Sequence, residues 1–409
     1  MTLQTTSSSN RIEAIDVLRG FTLFGIVLVH MVEQYYAGPY PEGVQSEPTT
    51  LDNILQGFAG IFIMGKFYMI FSFLFGLSFF IQSSKRDSGF LLRFTWRLLI
   101  LFAIGMIHHL HYRGDILSIY AILGFGLLLF SWLPDKTMLI VAVLLVFNIP
   151  SHIARTVYAI DPSLQGQSVF NADQNALMAY YNTVKSGPYL EILKANFNSF
   201  SAKMRFQVEF GRIYITLGLF LLGVYAGRKK VFENLEEKKP LLKKAIRYSL
   251  WSLLGVILFA AAFFGASFGL KIELSEQVQN LVSFFTYDVF NAAMSCIYTA
   301  GILLLFQKEK WHKRLMHLYP VGRMGLTTYL MQSMFGTLIF FSYGLGLLFE
   351  FGSAVTFGLG VLIFIVQIIF AKYWFQYFQF GPVEWLWRTL TYFKIQPLRK
   401  KQSLQSVVV

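Results

Sequence analysis

The sequence predicts an all-α, polytopic membrane protein of about ten transmembrane helices, with the N- and C-termini both in the cytoplasm. Three observations carry that expectation. Of 409 residues, 55% are hydrophobic, 17% are aromatic and only 14% are charged, against roughly a quarter charged in a soluble domain. Apolar runs near the length that crosses a bilayer, about 20 residues, recur along the whole chain. The Lys and Arg behind the net charge of +13 gather in alternate short connections. That distribution is a positive-inside pattern, and it argues against a nucleic-acid-binding surface.

The spans read from the apolar runs are 14–33, 66–83, 92–110, 116–133, 137–154, 211–227, 248–268, 282–306, 323–348 and 354–378. The polar opening Met1–Asn10 leads straight into a full-length span without a small-residue cleavage site, so no cleaved leader is expected. Lys85, Arg86, Arg93 and Arg97 mark the connection 84–97 as cytoplasmic; a run from Arg228 to Arg247 does the same for 228–247. Lys308, Lys310, Lys313, Arg314 and Arg323 mark 307–323, and Arg399, Lys400 and Lys401 mark the tail. Connections 34–50 and 349–353 hold no Lys or Arg, and 269–281 holds Lys271 alone.

Four segments follow: an N-terminal membrane half (1–154), an outer insert (155–210), a C-terminal membrane half (211–394) and a basic cytoplasmic tail (395–409). Asn171 and Asp173 are candidate N-caps in the insert, ahead of amphipathic stretches 174–186 and 188–207 split at Gly187-Pro188. Residues 51–62 read as an interfacial or re-entrant helix, and 380–394 as an amphipathic helix with Glu384 and Arg388 at i, i+4. The single Cys296 excludes an internal disulfide.

Ionisable side chains inside spans are costly, so each is a candidate for function. On the first span, Arg19 and His30 are eleven residues apart, close to three turns, which sets them on one face about 16 Å apart. Asp16 joins that stripe beside Arg19, and Glu33 stands three residues beyond His30, where it can orient the imidazole. Between spans three and four lies His108-His109-Leu110-His111-Tyr112-Arg113-Gly114-Asp115. Neighbours on a helix diverge by about 100°, so these histidines predict a polar pocket rather than a metal centre. Asp288 in the eighth span needs a partner, for which Arg113 and His30 are candidates; Gln332 and Gln367 are mid-span amides suited to tying helices. Arg93 and Arg97, one turn apart, suit lipid phosphates or a soluble phosphorylated donor.

Four segments resemble the YeiB family of bacterial membrane proteins (domain of unknown function 418). They are DVLRGFTLFGIVLVH at 16–30, FYMIFSFLFGLSFFIQ at 67–82, RGDILSIYAILGFGLLL at 113–129, and the block from Gly322 to Tyr392. Arg19, ten residues and His30 is similar to the Arg–ten residues–His signature of acyltransferase-3 membrane enzymes. Those enzymes and the heparan glucosaminide acetyltransferases move acyl groups from cytoplasmic acyl-CoA to glycans across the membrane. Gly322, Arg323, Tyr329 and Leu330 fall in register with a second acyltransferase-3 pattern, with Gln332 standing where that pattern has histidine.

The resemblance implies a plasma-membrane acyltransferase with acyl-CoA as co-substrate, no tightly bound cofactor, and an envelope glycan or lipid as acceptor. Arg19, Arg93 and Arg97 would hold the donor. His30 would act as base or acyl carrier with Glu33 or Asp288, and His108, His109, His111, Arg113, Asp115, Tyr329 and Gln332 would line the pocket. Two other classes stay open: a transporter or flippase using the same polar stripe, and a non-catalytic scaffold in which these residues pack helices. The lack of an inverted repeat and of paired interruptions argues against transport. The oligomeric state is left open.

Overall fold

The computed structural model describes residues 12–45, 47–84, 89–164 and 173–400; Lys85, Arg86, Asn171 and the end of the basic tail lie outside them. Among the described residues the secondary structure is helical, with no strand. That follows from the solvent, because hydrocarbon offers no partner for a backbone N–H or C=O. The elements run α1 (Glu13–Val32), α2 (Thr50–Phe62), α3 (Phe67–Ser83), α4 (Phe90–His111), α5 (Leu117–Phe130), α6 (Asp135–Val146) and α7 (Ile149–Ile160). Then come α8 (Gln174–Ser186), α9 (Tyr189–Asn198), α10 (Phe200–Glu209), α11 (Arg212–Arg228) and α12 (Leu235–Gly269). The chain closes with α13 (Glu276–Phe306), α14 (Glu309–Leu315), α15 (Tyr319–Arg323), α16 (Gly325–Phe340), α17 (Ser353–Tyr377) and α18 (Pro382–Tyr392).

Helix α1 is central, packed against α3, α13, α15, α16 and α17, and Leu18, Leu23, Val27 and Met31 are wholly buried. Helices α3 and α11 approach closely through glycine. A Cβ on Gly76 would sit 1.9 Å from the Phe220 carbonyl oxygen, and one on Gly223 would sit 2.1 Å from that of Phe73. Helix α12 packs chiefly on α13 and leaves Trp251, Leu254, Ile257 and Leu258 exposed, an apolar face suited to lipid.

The expected count of ten spans is corrected. Among the described residues six helical stretches, one of them α2 running into α3, are long and apolar enough to cross a membrane, or up to eight if each of two bent pairs is one span. All ten expected segments are helical, but several are short or interrupted. Helix α5 has 14 residues, about 21 Å of rise, short of a hydrocarbon core of about 30 Å. Expected span 323–348 yields α16, with 16 residues, before the chain turns. Expected span 137–154 breaks into α6 and α7, bent by 45°. There Asn148 takes a left-handed φ of 55°, and Pro150, in the first turn of α7, lacks an N–H. Helix α11 is entered from α10 through a bend of 71°.

In the insert, Asp173 caps α8 by accepting from the Asn175 N–H. The stretch 188–207 divides at Ser199 into α9 and α10. Residues 382–392 form the expected helix, with Glu384 and Arg388 one turn apart. Glu384 caps α16, accepting from the Leu326 and Thr327 N–H groups at 2.7 and 3.1 Å and from Thr327 Oγ1 at 2.6 Å.

Candidate functional site

A cavity of about 280 Å³ lies among α1, α3, α4, α5, α15, α16 and α18, and four arginines line it: Arg19, Arg97, Arg323 and Arg388. Each is positioned by its own element. Arg19 pairs with Asp16 at 2.6 Å across one turn of α1 and donates to Ser78 of α3. Arg97 lies over the Trp387 ring at 4.4 Å, and its Nε–H is buried without a hydrogen-bond partner. Arg388 lies over Phe380 at 4.8 Å, with its Nε–H likewise unpartnered. Arg323 donates to the Gln379 carbonyl oxygen at 2.8 Å. Burial pushes the Glu384 carboxyl up, against the hydrogen bonds from Thr327 and Leu326 that hold it down. Four guanidiniums against Asp16 and Glu384 leave an excess of positive charge with desolvated donors, which is suited to an anion.

Away from the arginines the walls become apolar and aromatic: Phe71, Phe75, Leu101, Leu117, Tyr120 and Tyr329. Tyr329 carries the path onward, since the His108 ring lies against it at 5.2 Å between centroids. His108 Nδ1 donates to Asp115 Oδ1 at 2.8 Å. Asp115 also accepts from the Leu117 and Ser118 N–H groups at 3.0 Å, from Ser118 Oγ at 2.6 Å and from Lys203 Nζ of α10 at 3.4 Å. Burial pushes the Asp115 carboxyl up, yet the hydrogen bond and charge of His108, with Lys203 and Ser118, bring it well below the usual carboxylate range. With Nδ1 committed as donor, His108 Nε2 is buried and has no hydrogen-bond partner. An oriented imidazole with one free nitrogen has the form of a general base.

His30 joins this constellation through Tyr112, whose hydroxyl shares a 2.9 Å hydrogen bond with His30 Nδ1; the His108 and Tyr112 rings are 5.8 Å apart. Glu33 Oε2 is 3.8 Å from His30 Nδ1, as the spacing suggested. Other expected residues lie elsewhere. Asp288 pairs with neither His30 nor Arg113: Asn148 Nδ2 donates to its Oδ2 at 2.9 Å and His152 Nε2 lies 3.3 Å from the same atom. Their separation in sequence hid that grouping. Gln332 ties helices, donating to the Leu23 carbonyl oxygen at 3.2 Å and to Gln367 Oε1 at 3.0 Å, and it does not line the cavity. Arg93 lies over Tyr392 at 5.9 Å, outside the cavity lining. The three histidines diverge. His109 accepts from Lys203 at 3.2 Å, and His111 hydrogen-bonds the Tyr189 hydroxyl at 2.7 Å. Arg113 lies between the Tyr180 and Tyr36 rings, at 3.8 and 4.5 Å.

Helix α4 carries a second such interval. Arg97 and His108 are eleven residues apart, as Arg19 and His30 are on α1. Both arginines line the cavity and both histidines meet Tyr112. The repeated interval was the available signal; the contributions of Arg323 and Arg388 required the fold.

The model for "Protein of unknown function (DUF418)" matches residues 226–394. The chain is 30% identical to "Uncharacterized protein YxaH" of Bacillus subtilis (strain 168) over 427 residues, covering 98% of this chain and 99% of that protein. It is 26% identical over 409 residues to "Uncharacterized 39.9 kDa protein in amylase 3'region" of Bacillus acidopullulyticus, covering 96% and 97%. It is 41% identical over 83 residues to "Uncharacterized protein YeiB" of Escherichia coli (strain K12), covering 20% and 21%. No solved structure matches it.

Proposed function

The chain belongs to the YeiB family of DUF418 proteins, and from that premise we propose that it is a plasma-membrane acyltransferase using acyl-CoA. One observation carries the reading: a cavity ringed by Arg19, Arg97, Arg323 and Arg388 runs along apolar walls to Tyr329, beside an oriented His108–Asp115 pair. A CoA thioester matches that gradient, with phosphates at one end and a thioester at the other. Arg97 and His108 are about 16 Å apart along α4, comparable to the reach of a pantetheine arm. The acceptor is an envelope glycan or lipid arriving along 108–115.

His108 Nε2 takes the proton of the acceptor hydroxyl as its oxygen attacks the thioester carbonyl carbon. A C–O bond forms and the C–S bond breaks. The departing thiolate recovers the proton from the imidazolium, giving ester and free CoA. Asp115 holds the tautomer that leaves Nε2 free. His30, beyond Tyr112, is on the acceptor side.

The test uses the full chain in lipid nanodiscs with acetyl-CoA and an envelope glycan and lipid extract, with acetylated product read by mass spectrometry. His108→Gln lowers kcat by about 10²–10⁴, whereas Arg97→Ala raises KM for acetyl-CoA more than it lowers kcat. Parent-like product formation by His108→Gln at parent expression overturns the assignment. Transport keeps one supporting observation: the interrupted helices α6–α7 and α10–α11 meet at buried Asn148.

A further inference from the structure

We propose that the C-terminal segment 395–400 straps the arginine-lined cavity and positions Arg323 for anion binding, which rests on the reading of that cavity as a phosphate site. Arg323 sits between two supports. Its guanidinium lies over the Phe375 ring at 4.2 Å and donates to the Gln379 carbonyl oxygen at 2.8 Å. Phe375 belongs to the last turn of α17. Gln379 follows in the connection to α18 and lines the cavity.

The C-terminal segment holds both supports. Lys400 Nζ donates to the Phe375 carbonyl oxygen, and the Lys400 N–H donates to that of Tyr377 at 2.9 Å. These are among the last carbonyls of α17, which have no partner within the helix, and a cation there also suits the helix dipole. The Gln379 N–H donates to the Leu398 carbonyl oxygen at 2.8 Å, and Gln379 Nε2 donates to that of Arg399 at 2.9 Å. Arg399 pairs antiparallel with Phe378. Trp385 of α18 adds a hydrogen bond from Nε1 to the Gln396 carbonyl oxygen at 2.7 Å.

The sequence accounts for this attachment. Pro397 biases Gln396 away from helix and keeps the segment extended. An extended chain has no hydrogen bonds within itself, so these backbone groups turn to α17, α18 and the connection between them. Ile395 is 78% exposed, and Pro397, Arg399 and Lys400 are exposed as well. With so little apolar burial, hydrogen bonds carry the attachment. No residue of 395–400 lines the cavity, so the segment acts through Arg323. Without the strap, the supports of Arg323 loosen, and the side chain must be ordered again each time an anion binds.

Isothermal titration of inorganic pyrophosphate into the chain in nanodiscs tests the strap. Ending the chain after Lys394 is expected to weaken binding by about 3–10-fold, the cost of ordering one long side chain, with the melting temperature little changed. In an Arg323→Ala background the same truncation is expected to add nothing, because both changes remove one interaction. A merely structural role would lower affinity in both backgrounds. Parent-like affinity in the shortened chain overturns the proposal, as does an equal loss with and without Arg323, or a full chain that binds no pyrophosphate. Lys400→Pro deletes the ammonium and the N–H together at an exposed position. If the shortened chain fails to fold, parent-like affinity in Lys400→Pro overturns the proposal instead. Pyrophosphate binding involves no acyl transfer, so a failure here is distinguishable from parent-like product formation by His108→Gln.

Discussion

At the scale of single residues, Asp115 shows how a loop carboxylate becomes the anchor of a buried network. Its neighbours hold the carboxyl below its ordinary range, so the folded state favours the ionised form. The stability this contributes is present above the unfolded-state pKa, about 3.9, and is lost as pH falls below it. Thermal unfolding in detergent is expected to lose stability below about pH 4 in the parent, a limb that Asp115→Asn should lack. At neutral pH Asp115→Asn leaves buried Lys203 without its charge partner, a cost of about 3–5 kcal/mol. A parent-like melting profile for Asp115→Asn would contradict the network. His108 and Asp115 lie on either side of a helix end, so no helical periodicity pairs them. The sequence marked both residues and left their bond unread.

At the scale of elements, close approach between α3 and α11 depends on small residues. Gly76→Ala places a methyl group 1.9 Å from the Phe220 carbonyl oxygen and must push the helices apart, at a cost of about 1–3 kcal/mol. Gly255→Ala in α12 meets nothing within 4 Å, so its better helix propensity makes it neutral or stabilising by up to about 1 kcal/mol. Opposite shifts in detergent melting temperature are the expected outcome. Equal shifts would mean that the α3–α11 contact is not tight. Hydropathy found the helices as apolar runs, whereas the breaks between α6 and α7 at Asn148 and between α10 and α11 at Gly211 belong to backbone dihedrals and neighbours. An apolar window averages over both.

At the scale of the whole molecule, the cation pattern sets an expected orientation. Reporter fusions within 228–247 and after 394 should report cytoplasm, and a fusion within 160–200 should report the opposite side. A cytoplasmic signal from 160–200 would reverse the side assignment. Lys203 and Lys185 show why that insert matters. Lys203 donates to Ser118 Oγ at 2.9 Å, and Lys185 donates to the Leu348 carbonyl oxygen at 2.8 Å. Through them the insert holds both the His108–Asp115 network and the connection between α16 and α17.

Composition and apolar runs by themselves determined the helical membrane class, because burial in hydrocarbon is a local demand that each segment must meet alone. The four segments between Asp16 and Tyr392 that resemble the family likewise sufficed to place the chain in it. Only tertiary structure decided which arginines share a cavity, that His108 rather than His30 lies against Tyr329 at its apolar end, and that Asp288 joins His152. Those groupings join residues separated by tens to hundreds of positions, and contact at that range is set by how whole helices pack, shorten and bend.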